Sequence, residues 1–250
     1  MGLDPDPARI PASVASASDP VLAFNRAIMD ATADYACCFK PQFAHHAAQG
    51  AEAALLGTIE HAHRLGVPVI LDAKRGDVGS TADFYAAEAF DRYGADAVTI
   101  NPYLGLDAMA PFLDRQDKAS IILCRTSNPG GADLQNLKLA SGQTLYEHVA
   151  TEAATNWNRH HNIGLVVGAT QPEELARIRA ITGDMPFLLP GIGAQGGSVE
   201  DSMRAGAGGM LLVSSSRAIL YASEGDDFAE AAAKMADDTR LAINHHQAAA

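Results

Sequence analysis

The most constraining feature of this chain is its alternation of short apolar, β-branched runs with Ala-rich stretches whose apolar residues recur at helical spacing. The runs are Tyr35 to Phe39, Val67 to Leu71, Ala97 to Ile100, Ala119 to Cys124, Ile163 to Val167, Pro186 to Leu189 and Gly209 to Val213. Helical stretches fall near Val21 to Thr32, Ala48 to Arg64, Thr81 to Tyr93, Leu106 to Arg115, Thr144 to Arg159, Pro172 to Ile181, Val199 to Ala205 and Phe228 to Ile243. Strands that feed crossover helices must run parallel, and near-continuous apolar runs such as VPVILDA imply burial on both faces. A closed barrel and an open doubly wound sheet both satisfy this order. Seven runs, eight helices and a remnant at Met1 to Asp4 favour the barrel, and no GxGxxG follows the first run to support a dinucleotide fold. At 250 residues the chain fits one such barrel. The expectation is a single α/β domain over 1–250, a (β/α)8 TIM barrel with a truncated first strand and a frayed tail over 245–250.

Composition narrows the function classes. Hydrophobic residues at 48 % and charged residues at 19 % are ordinary for a globular fold. The formal charge of −12 repels nucleic-acid backbones and anionic lipid surfaces, so neither is an expected partner. Cys37, Cys38 and Cys124 form no CxxC pair and read as free thiols of a reducing compartment, with Cys37 and Cys38 on opposite sides of a strand. The opening MGLDPDPARIPAS lacks the basic and apolar regions of a signal peptide. No stretch approaches the roughly 18 unbroken apolar residues of a membrane span, so a cytoplasmic protein is expected. The nine histidines show no HExxH and no two-His-plus-carboxylate spacing, which gives no metal site.

In parallel barrels the chemistry sits at the C-terminal ends of the strands. Those positions here carry Lys40, then Asp72, Lys74 and Asp77, then Asn101, Thr126 and Ser127, then Gln195, then Ser214 to Arg217. In LDAKRGDVGST, Asp72 and Lys74 are two positions apart, which in an extended strand end projects both from one face into the barrel mouth. Carboxylates at Asp72 and Asp77 beside the ammonium hold Lys74 charged, a proton donor and not a Schiff-base nucleophile. A structural ion pair explains an isolated DxKxxD equally well. In LLPGIGAQGGS a Gly-rich turn opens a helix, a geometry that brings backbone N–H groups to an anion, and Arg217 on the next loop is a bidentate partner for phosphate.

Taken in order, GLDPDP, KPQFA at Lys40, LDAKRGDVGSTA, TSNPG around Ser127, PGIGAQGG and VSSSRAILYA resemble the orotidine 5′-phosphate decarboxylases, in the bacterial type 2 subfamily that carries DxKRGDIxxTA. The resemblance runs to Tyr221 and implies decarboxylation of orotidine 5′-monophosphate to uridine 5′-monophosphate, the last step of pyrimidine synthesis, with no metal or organic cofactor. It implies that Lys74 protonates the carbanion left at ring carbon 6, that Asp72 sits by the departing carboxylate and that Lys40 belongs to the same charged array. It also implies a homodimer in which Asp77 and Thr81 reach the partner's substrate. Ser127 resembles the residue on the pyrimidine amide, Gln195 the one bridging base and phosphate, Arg217 the phosphate ligand and Asp4 the acceptor of ribose hydroxyls. A related barrel of the 3-hexulose 6-phosphate synthase type shares a DxKxxD motif that holds magnesium; KRGD and GAQGG argue against it. A nucleotide-binding barrel without turnover is the other alternative, and the full set of candidate catalytic residues argues against that.

Two segments depart from the family pattern. The family carries a full apolar strand upstream of GLDP, so a stub at Met1 to Asp4 is expected to leave two sheet edges unpaired, with upstream residues supplying the missing strand. The run NPGGADLQNLKLASGQ from Asn128 reads as a mobile lid.

Overall fold

The computed structural model describes residues 1–192 and 197–247. Among the described residues there are eight strands: β1 (Gly2–Leu3), β2 (Lys40–Pro41), β3 (Ile70–Arg75), β4 (Ala97–Ile100), β5 (Ala119–Arg125), β6 (Ile163–Val167), β7 (Phe187–Pro190) and β8 (Leu211–Ser214). Among the described residues, eight helices of seven residues or more alternate with them, beside four shorter ones: α1 (Pro20–Thr32), α2 (Glu52–Arg64), α3 (Gly79–Ala87), α4 (Leu106–Leu113), α5 (Leu145–Glu152), α6 (Pro172–Thr182), α7 (Val199–Ala205) and α8 (Phe228–Gln247). The starts are set by local chemistry. Asp19 accepts from the Leu22 N–H ahead of Pro20 in α1, and Thr144 and Glu147 form a capping box at α5.

Strands β3 to β8 pair in sequence order, all parallel, and β1 pairs with β2 in register Gly2↔Lys40 and Leu3↔Pro41. The two sheets join through parallel bridges Phe39↔Val69 and Gln42↔Asp72 on one side. On the other, the Gly2 N–H donates to the Ser215 carbonyl at 2.8 Å. The ring therefore closes as a (β/α)8 barrel. The expectation that the stub leaves unpaired edges is corrected: it pairs with β2 on one side and bonds through Gly2 to Ser215 on the other, and Leu3 is fully buried. The seam is tight, since a Cβ on Gly2 would lie 2.6 Å from the Ser216 Cβ.

The main core lies between strands and helices, around Leu3, Phe24, Ile59, Leu71, Ile100, Phe112 and Phe187. A second cluster of Cys38, Ile70, Ala97, Ile121, Val166 and Leu188 fills the barrel at the opposite end from the candidate residues. These residues alternate with Leu71, Val98 and Leu165, which pack on the helices, so Asp72 and Thr99 face the interior in the next layer up. Cys37 is exposed, and Cys38 and Cys124 are buried; all three are free. Among the described residues no helix is long and apolar enough to cross a membrane.

Some boundaries move. The run Tyr35 to Phe39 is expected as a strand, yet the strand falls at Lys40–Pro41, because the ladder to β1 begins with the Lys40 N–H donating to the Met1 carbonyl. The strand expected at Val67 to Leu71 instead occupies Ile70–Arg75 and carries Asp72 and Lys74 inside it.

Replacing Gly2 by valine forces its side chain into Ser216, and the expected outcome is a loss of about 1–3 kcal/mol in stability by urea unfolding. A variant as stable as its parent would show that the seam between β1 and β8 yields freely.

Candidate active site

The mouth of the barrel is built on a buried carboxylate between two ammonium groups. Asp72, on β3, accepts from Lys40 Nζ at 3.0 Å on one oxygen and from Lys74 Nζ at 2.6 Å on the other. Lys40 is buried on β2, whereas the Lys74 side chain is 45 % exposed, so its ammonium is held by Asp72 and still open to a ligand. Burial alone would raise the Asp72 carboxyl, but Lys40 and Lys74 outweigh it and hold the group at about 2. Burial pulls the Lys40 ammonium down, and the Asp72 and Asp4 carboxylates more than offset this, so it ends above its ordinary value.

Simple strand alternation is not what brings Asp72 and Lys74 together. The register slips between Leu71 and Arg75 against β4, and Lys74 adopts φ +49°, a left-handed conformation that costs an L-residue about 1–3 kcal/mol. The hydroxyl of Thr99 on β4 bonds into this bulge: it accepts from the Ala73 and Lys74 N–H groups at 3.0 and 2.9 Å and donates to Asp72 at 2.9 Å. Sequence reading passes over Thr99, because a threonine within an apolar strand is an ordinary β-former. Next in the chain, Arg75 pairs with Glu88 at 2.7 Å and lies over the Phe43 and Tyr85 rings, tying the end of β3 to α3. The Arg of KRGD is thus a clamp.

A cavity of about 130 Å³ opens beside Lys40, lined by Asp4, Pro190, Gly191, Ile192, Ser214, Ser216 and Arg217. Ser216 donates to one oxygen of Asp4, and the other, buried, has no partner among the described residues. That free acceptor suits a hydroxyl-bearing ligand. Arg217 is exposed at the rim. Gln195 lies outside the described residues, as does most of the GIGAQGG turn.

Ser127 is half-buried where β5 ends, so close to Gly168 that a Cβ there would meet the Ser127 backbone at 2.9 Å. In the segment after it, Gln135 accepts from the Thr126 N–H at 2.9 Å and from Arg125 at 3.2 Å. Arg125 is buried and its Nε lies 2.6 Å from Glu174 of α6.

Asp77 and Thr81 stand apart from this array. Among the described residues Asp77 accepts only from the Val78 N–H, and Thr81 is exposed on α3. Among the described residues of one chain, the carboxylate that bonds to the Lys74 ammonium is that of Asp72, and Asp77 does not reach it. Val78, next to Asp77, and Phe84 of α3 are exposed apolar side chains, as are Tyr103 and Leu104 after β4.

Fold and site together define an enzyme of the TIM-barrel class whose strand ends present a Lys–Asp–Lys charge cluster next to a cationic rim. The chain belongs to the orotidine 5′-phosphate decarboxylase / HUMPS family, whose profile matches residues 14–234. An orotidine 5′-phosphate decarboxylase of Azoarcus is 58 % identical over 99 % of this chain and 93 % of its own length. Among solved structures, the OMP decarboxylase of Leishmania donovani is 40 % identical with a TM-score of 0.79, covering 96 % of this chain and 92 % of that one. The UMP synthase of the same organism is 41 % identical at TM-score 0.82; the match covers 98 % of this chain and 53 % of that longer protein.

The pH dependence of stability follows from the buried ion pair. The depressed carboxyl of Asp72 stabilises the fold above its unfolded value of 3.8, and that contribution is lost as the pH falls towards 2. The raised ammonium of Lys40 stabilises the fold below 10.5, and its contribution is lost as the pH climbs past that value. Asp72→Asn strands Lys40 without its counter-charge, and the expected cost is about 3–5 kcal/mol at neutral pH, shrinking on acidification towards pH 2. Urea unfolding across pH measures it; a cost independent of pH in the acid range would contradict the assignment.

Proposed function

We propose that this chain decarboxylates orotidine 5′-monophosphate to uridine 5′-monophosphate and carbon dioxide, the final step of pyrimidine nucleotide synthesis, with Lys74 as the proton donor. The observation that carries the reading is the half-exposed Lys74 ammonium held 2.6 Å from buried Asp72 at the barrel mouth. The bond from ring carbon 6 to the carboxyl breaks, and the electron pair stays on carbon 6. The carbanion lies outside the ring π-system, so it needs a cation already in place. Lys74 supplies that cation and then its proton, and the neutral amine is reprotonated from water. Asp72 beside the leaving carboxylate disfavours the charged ground state, and Lys40 keeps Asp72 ionised.

The remaining roles follow the family pattern. Asp4, with its unpartnered oxygen, takes a ribose hydroxyl, Arg217 takes the phosphate, Ser127 the pyrimidine amide and Gln195 the link between base and phosphate. Phosphate binding far from carbon 6 supplies energy for orienting the base. The working unit is a homodimer. The exposed Val78 and Phe84 lie beside Asp77 and Thr81 in the chain, and a second copy seated there carries these two residues into its neighbour's site. The setting of this reaction is the cytoplasm, with the chain acting as one domain over 1–250.

Loss of orotidylate absorbance tests the reaction directly. Lys74→Ala is expected to lower kcat by about 10²–10⁴-fold while the fold is kept, and near-parental turnover would remove Lys74 from the role of acid. The shared site has its own test. Mixing inactive Lys74→Ala and Asp77→Ala proteins after subunit exchange is expected to restore about one quarter of parental activity, since half the dimers are mixed and each has one intact site. No recovery after demonstrated exchange would place Asp77 in its own chain's site.

A further inference from the structure

We propose that Thr99 is a positioning residue for proton transfer: its buried hydroxyl fixes the β3 bulge and the Asp72 carboxylate, and through them the place of the Lys74 ammonium. The inference rests on the reading of Lys74 as the acid.

The argument starts from the register of β3 against β4. Leu71 pairs with Val98 and Arg75 with Ile100, so four steps along β3 are matched by two along β4. The surplus falls on Asp72, Ala73 and Lys74, the stretch that carries the chemistry. Two extra N–H groups in a bulge lose their ladder partners and need others. Both find the Thr99 hydroxyl, at 3.0 Å from Ala73 and 2.9 Å from Lys74. A hydroxyl has two lone pairs and one hydrogen. With both lone pairs occupied, its hydrogen is directed to Asp72 Oδ1, 2.9 Å away, the same oxygen that accepts from Lys74 Nζ. The whole bonding capacity of Thr99 is thus spent on one turn of the neighbouring strand.

A hydroxyl serving only its own strand would not need this arrangement. Thr99 is 1 % exposed and sits on a strand paired residue by residue with β5 from Ala97 to Ile100. It is a rigid reference point. Backbone at φ +49° relaxes towards ordinary strand geometry unless something over-determines it. Without the hydroxyl, the Lys74 N–H has no such tether, and Asp72 is free to turn about its terminal torsion and carry the ammonium away from carbon 6. Substrate contacts made by Asp4, Ser127 and Arg217 lie on other strands and are untouched. The effect therefore belongs to turnover, not to binding.

Thr99→Val keeps the shape and removes the hydroxyl; Thr99→Ser keeps the hydroxyl and removes the methyl. The expected result is a fall in kcat of about 10- to 100-fold for Thr99→Val, with KM for orotidine 5′-monophosphate and affinity for uridine 5′-monophosphate both within about threefold of the parent. Thr99→Ser is expected to retain kcat within about threefold. On a Lys74→Ala background, Thr99→Val is expected to cost markedly less of the residual activity than it costs the parent, because the part of its effect that runs through the ammonium is already gone. If circular dichroism shows that Thr99→Val does not fold, Thr99→Ala against Thr99→Ser makes the same comparison. The proposal is overturned if the hydroxyl-free variant turns over at the parental rate, if serine loses as much as valine, or if the loss is equal with and without Lys74. Parental turnover in Lys74→Ala alone would overturn the reading of the acid itself, whereas an inactive Lys74→Ala beside an unimpaired Thr99→Val overturns only the role of Thr99.

Discussion

Everything at the mouth of this barrel is arranged around keeping one buried carboxylate ionised. An isolated charge at Asp72 would be driven to neutrality by desolvation. Lys40 prevents this from a neighbouring strand, and the two groups hold each other charged in a place where neither would stay so alone. Lys74 can then remain half in solvent, because the buried pair and not the lysine itself carries most of the desolvation. The arrangement separates two duties. One cation is spent on keeping the site charged, and the other is left for a ligand.

Backbone geometry is the second constraint. The regular ladder of a parallel sheet would put alternate residues of β3 on alternate faces, and the bulge opposite Thr99 relaxes that rule where chemistry needs it. The arginine beside Lys74 holds the far end of the bulge against α3. Local disorder of the ladder is therefore confined between two fixed points.

Legibility from sequence followed the physics of each segment. The alternation of β-branched runs and Ala-rich stretches was enough for the order of strands and helices, because burial imposes period and length on every crossover unit. It misplaced β2, whose limits are set by the backbone of β1 and not by its own side chains. The cluster of Lys40, Asp72 and Lys74 was legible as chemistry at strand ends. Its geometry was not, since neither a left-handed lysine nor a shared threonine hydroxyl leaves a mark on apolar periodicity. Gln135 was hidden for a similar reason: a glutamine that folds back on Thr126 reads as one more polar residue in a long loop.

The seam between β1 and β8 has a dynamic consequence. Protection of backbone amides from exchange scales with the cost of opening the element that holds them. Asp4 follows Gly2 and Leu3 directly and lines the cavity beside Lys40 and Arg217. A ligand that bonds to Asp4 on one side and to the β8 loop on the other bridges the joint between β1 and β8. Such a ligand holds the two edges of that joint together, and its binding is expected to slow solvent exchange at Gly2 and Leu3.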